Sequence, residues 1–161
     1  MNFDHFQKLV DNFFVVNEAG ELAPGKYEDI PVERMPALVL AYIGDAYFTL
    51  YVRSRLLAYE QNKVRVLHTF DAKIVSAVMQ SKAIKALEPE LLPEEADIVR
   101  RGRNAKSTVP KSASIAEYRW ATGFEALVGF LYLQKRQERL SEIVDKAFAV
   151  ISREMANVSP K

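Results

Sequence analysis

Two acids stand in unusual company. Asp45 is the only charged residue of "LVLAYIGDAYFTLYV" (38–52), and Glu125 is the only one of "TGFEALVGFLYL" (122–133). Leu38, Ala41, Asp45, Phe48 and Val52 recur at helical spacing, which predicts that Asp45 lies within an apolar stripe. Glu125 shares its predicted face with Val128, Gly129 and Tyr132. An ionised carboxylate in such surroundings costs on the order of several kcal/mol unless something compensates it. Compensation can come from a cationic partner, with Arg53 and Arg119 as candidates, from protonation, or from a bound cation. If the two helices pack together, both acids can converge on one Mg²⁺, which is commonly held by one or two carboxylates and several waters. Such an ion acidifies water and stabilises charge on a phosphodiester under attack. Spacing alone leaves the ion-pair and metal readings open.

The second chemical feature is cationic. "RRGRNAKSTVPK" (100–111) holds Arg100, Arg101, Arg103, Lys106 and Lys111 with no acid among them, in a chain of formal net charge +1. A helix C-terminus favours cations, which accounts for part of the run but not for Lys111 beyond it. The concentration is an electrostatic footprint for the phosphates of a nucleic acid.

Other chemistries lack their residues. Cysteine is absent, which removes disulfides, zinc-thiolate sites and thiol nucleophiles. There is no glycine-rich phosphate loop and no G-x-S-x-G. Of the two histidines, His68 reads as a packing or surface residue and His5 carries no functional reading. The aromatic residues at 42, 47, 48, 124, 130 and 132 read as core or interface.

The elements that must position these residues are helical throughout. The 161 residues, 49% hydrophobic and 27% charged, suit a globular chain with a real core. Apolar periodicity predicts helices over 3–14, from Pro36 to about Glu60, over 63–87, over 93–106, from a cap at or near Ser114 to Leu133, and over 140–155. The division expected is an N-terminal helix with its connecting loop (1–35) and a helical domain (36–155). The N-terminus has no signal pattern, and the longest apolar run is too short for a bilayer and carries Asp45, so a soluble, cytoplasmic protein is expected. The helix through Asp45 is apolar all round. Together with Gly44, which permits close helix approach, this predicts a homodimer that buries Tyr42 and its neighbours.

"LAYIGDAYFTLYVR" (40–53) resembles the signature helix of the ribonuclease III family. "VRRGRNAKSTVPK" (99–111) followed by "YRWATGFEALVGFLYL" (118–133) is similar to its short Mini-ribonuclease III branch, which lacks a double-stranded-RNA-binding domain. The resemblance spans about residues 36–150 and makes the helical domain (36–155) the catalytic one. It implies an all-α ribonuclease III endonuclease domain, a helical bundle acting as a two-fold dimer, which hydrolyses double-stranded RNA with Mg²⁺ and matures precursor large-subunit ribosomal RNA. A ribosomal protein that presents the substrate is a candidate partner. Asp45 and Glu125 match the family's catalytic, metal-binding acids, and Tyr42 falls where full-length members dock an aromatic into the partner subunit. Ala41 and Thr122 stand where full-length members carry two further acids, so half of a four-carboxylate site is absent. That departure keeps a rival reading in view, an inactive RNA-binding module of a ribonucleoprotein.

Overall fold

A computed structural model describes residues 3–13, 18–21, 30–106 and 113–158. Lys111 lies outside them. The chain divides into two units at Arg34 and Met35. The first contains, among the described residues, helix α1 (Phe3–Phe13) and the 3-10 turn Val32–Arg34.

The second unit holds α2 (Ala37–Leu56), α3 (Val64–Ile74), α4 (Ala77–Leu87), α5 (Pro93–Asn104), α6 (Ile115–Leu133) and α7 (Gln137–Val158). No strand occurs among the described residues, so the all-α expectation holds. α6 starts where expected: the Ser114 hydroxyl accepts from the Glu117 N–H at 3.1 Å, and the Glu117 carboxylate accepts from the Ser114 N–H at 2.9 Å. This helix is the axis of the unit, packing against α2, α4, α5 and α7. Its residues Phe124, Leu127, Phe130 and Leu131 are buried with Leu40 and Phe48 of α2 and Leu140, Ile143 and Ile151 of α7. Phe48 meets Phe124 edge to face, with ring centres 4.9 Å apart.

Two differences from expectation matter for the site. The helix predicted over 63–87 is broken: Ser76 is extended (φ −64°, ψ 149°), its hydroxyl donates to Lys73 O, and it caps α4 by accepting from the Met79 N–H at 3.4 Å. A serine inside an apolar pattern competes for backbone groups and ends the turn. Gly44 is also buried within the chain, against α6, rather than being available to a second copy. A Cβ there would drive into the carbonyl oxygen of Glu125, and one at Gly129 would drive into that of Leu40. The backbones of α2 and α6 therefore touch.

α5 is locked to α7 by a buried ion pair that periodicity did not reveal. Fully buried Glu95 receives Arg139 through Nε and Nη2, both at 2.9 Å, with Arg136 at 3.6 Å. It also accepts from the Leu92 N–H at 2.9 Å. Burial works to raise its pKa, but these hydrogen bonds and charges outweigh it and hold the carboxyl below the ordinary range.

Gly44→Ala must force α2 from α6. It is expected to lower stability by about 3 kcal/mol or more, read as the urea unfolding midpoint. A near-wild-type midpoint would mean that the helices do not need this contact.

Candidate active site

The backbone contact decides where the acids go. Asp45 follows Gly44 on α2, and Glu125 owns the carbonyl against which Gly44 packs, so the two side chains lie close enough for Asp45 to act on the Glu125 carboxyl. Glu125 is partly buried. Loss of hydration is the larger cause, and repulsion from Asp45 the second, that push its carboxyl up to about 8, against a hydrogen bond from Gln80 that lowers it.

Asp45 departs from expectation, because it is exposed. Leu38, predicted on the same inner stripe, is exposed too, whereas Leu40, Ala41, Gly44, Phe48 and Val52 are the buried residues of α2. With a helix apolar all round, spacing cannot choose the inner face, and Gly44 chooses it. Asp45 is thus a rim residue. Partial loss of hydration on its inward side raises its pKa, and its open side keeps that effect mild.

Neither acid has a cationic partner among the described residues. Arg53, a candidate for that role, instead donates from Nε to buried Asp71 at 2.7 Å, and Arg119 forms no ion pair with either acid. The two positions that lack an acid are both turned inward. Ala41 is buried, and the buried Thr122 hydroxyl donates to Tyr118 O at 3.0 Å within its own helix. No cluster of three acids, histidines or cysteines occurs among the described residues.

Gln80 is the residue that sequence reasoning missed. The break at Ser76 sets it in the first turn of α4, where its amide donates to Val75 O at 3.1 Å and hydrogen-bonds Glu125. Its own oxygen is buried and has no partner among the described residues. A signal existed: Gln80 shares the helical face of buried Ala83, Ile84 and Leu87, an odd place for an amide.

The cationic segment separates into distinct roles. Arg100 is exposed and pairs with Asp97 one turn back. Arg101 donates to Met35 O at 2.5 Å, a tie within the fold. Arg103 lies over the Trp120 ring, and Lys106 is exposed.

The ribonuclease III domain profile matches residues 38–136, which include both acids and Gln80. The chain belongs to the ribonuclease III family and is an endoribonuclease. It is 48% identical to Mini-ribonuclease 3 of Thermoanaerobacter sp. (strain X514), over 71% of this chain and 81% of that one. It is 48% identical to the Symbiobacterium thermophilum Mini-ribonuclease 3, over 74% and 92%, and 38% identical to that of Staphylococcus aureus, over 78% and 96%. A crystal structure of a Fusobacterium nucleatum protein, 33% identical, superposes with a TM-score of 0.67 over 75% of this chain and 95% of that one. No helix among the described residues is long and apolar enough to cross a membrane.

A pH dependence follows from Glu125. Its folded pKa of about 8 lies above its ordinary 4.5, so the folded chain keeps a proton that the unfolded chain releases. The stability tied to that proton is complete below the ordinary value and is lost as pH rises through the folded one. In chelator, wild type is expected to lose on the order of a few kcal/mol between about pH 5 and pH 8.5, and Glu125→Gln much less. Urea unfolding across that range reads the difference, and parallel curves would contradict it.

Proposed function

We propose that this chain is a Mg²⁺-dependent endoribonuclease cleaving double-stranded RNA, with Asp45 and Glu125 as its catalytic, metal-holding acids and precursor large-subunit ribosomal RNA as its substrate. The observation that carries the reading is the meeting of two carboxylates at the Gly44 contact with no lysine or arginine paired to either among the described residues. Two carboxylates, with the Gln80 amide hydrogen-bonded to Glu125 and its oxygen without a partner among the described residues, offer hard oxygen donors that suit Mg²⁺. When bound, the ion would neutralise the pair, acidify water and stabilise charge on the phosphodiester.

The chain's own residues divide the remaining work. Gln80 orients Glu125, the inner anchor, while Asp45 stands at the rim, open to the solvent from which RNA arrives. Arg100, Arg103 and Lys106 grip backbone phosphates, joined by Lys111, and Arg101 contributes charge while its guanidinium holds Met35 O. A duplex would be read by shape, phosphates and 2′-hydroxyls. Tyr42 is 78% exposed, and Leu38, Val39 and Leu50 on the same helix are exposed with it. That uncovered apolar surface supports a two-fold homodimer giving one site to each strand. A cytoplasmic setting, with a ribosomal protein presenting the substrate, completes the reading.

Ala41 and the self-bonded Thr122 favour a second reading, an RNA-binding module without catalysis. One assay separates the two. Asp45→Asn keeps the shape of the side chain but removes its charge, so duplex cleavage in Mg²⁺ is expected to fall at least about a hundredfold. The helical circular dichroism should be unchanged, because Asp45 is exposed and pairs with no cation among the described residues. Wild type that binds duplex RNA without cutting it would support the second reading. Near-wild-type cutting by Asp45→Asn would make Asp45 structural.

A homodimer is expected to show twice the chain mass by light scattering at micromolar concentration, and Tyr42→Asp is expected to shift it toward one chain. A wild-type monomer would contradict the dimer.

A further inference from the structure

Where the last turn of α5 meets the first turns of α6, Arg103, Asn104, Ala116, Arg119 and Trp120 line a cavity of about 160 Å³. That is room for roughly five waters. Its lining is polar and cationic. The Arg103 guanidinium carbon lies 3.5 Å from the centre of the Trp120 ring, and Lys85 Nζ lies over the same ring at 5.6 Å. A guanidinium stacked on an indole is held by its face and keeps its N–H edge free to donate.

Arg53, Arg55, Arg100, Arg136 and Arg139 each pair with a carboxylate. Arg103 and Arg119 form no such pair among the described residues, yet both face this cavity. Glu117, in the same turn of α6, caps the helix through the Ser114 N–H, and the cations that act on its carboxylate are Lys85 and Lys82 rather than the two arginines. Two uncommitted guanidiniums, an amide and a ring that fixes one of them make a seat for an anion with several acceptor oxygens.

We propose that this cavity seats one phosphate of the RNA backbone, with Arg103 and Arg119 as charged donors, Asn104 as a neutral one and Trp120 as the platform that fixes Arg103. The inference rests on the reading of the chain as a nuclease for duplex RNA. It adds Asn104, Arg119 and Trp120 to the substrate surface and gives Arg103 a fixed orientation. An internal phosphodiester and a free phosphate share this chemistry, and the proposal commits to the first.

Trp120 is the only tryptophan of the chain, so its fluorescence reports the cavity directly. Full-length protein in EDTA is titrated with a labelled RNA duplex, following anisotropy for binding and Trp120 emission for the cavity, and separately with inorganic phosphate. The two RNA signals are expected to change together, and micromolar inorganic phosphate should leave the emission unmoved. Arg119→Gln should weaken duplex binding about tenfold and reduce the slope of log affinity against log salt by somewhat under one. Arg119→Lys should recover part of the affinity. Circular dichroism of both variants should match wild type, since Arg119 is exposed.

RNA binding with silent Trp120 emission, or an Arg119→Gln affinity and slope equal to wild type, would overturn the phosphate seat while leaving the nuclease reading intact. Saturation by micromolar phosphate would overturn the RNA backbone as its ligand. Wild type with no affinity for the duplex would overturn both readings.

Discussion

The backbones of α2 and α6 touch at Gly44 and Gly129, and the placement of the two acids depends on that contact. A side chain at either glycine would occupy the space of the facing carbonyl. Helices that pack through ordinary side chains sit about 8–10 Å apart; these are held closer by having none at the crossing. The closeness brings Phe48 onto Phe124, and α6 is buried from Ala121 to Leu131 except at Glu125. It also forces two carboxylates together, and Glu125 answers by holding its proton up to about pH 8.

Glu95 and Glu125 show what the surroundings do to one residue type. Glu95 is fully buried, yet two arginines and a backbone N–H keep its carboxyl below the ordinary range. Glu125 is less buried, yet its nearest charge is another acid, and its carboxyl rises to about 8. The first arrangement is a closed ion pair that ties α5 to α7. The second has no lysine or arginine paired to it among the described residues, a condition that favours a divalent ion.

The chemistry was more legible in the sequence than the geometry. Residue type and apolar neighbours singled out Asp45 and Glu125, and their meeting follows from the packing of their helices. The rim position of Asp45 was not legible, because α2 is apolar on all sides and its inner face is set by where α6 can approach a glycine. The break before α4 was hidden by an apolar pattern that continues across Ser76, and with it the role of Gln80. Positive charge in residues 100–106 could be read directly. That Arg101 would tie to Met35 O and Arg103 would stack on Trp120 could not, because both partners are distant in the chain.

Crystals of the protein grown with Mn²⁺ in place of Mg²⁺ provide the most direct test of the paired-acid centre. The expected result is an anomalous peak coordinated by both the Asp45 and Glu125 carboxylates, and lost in Glu125→Gln. An ordered Asp45–Glu125 pair with no peak between the side chains, in protein that still cuts duplex RNA with Mn²⁺, would contradict it.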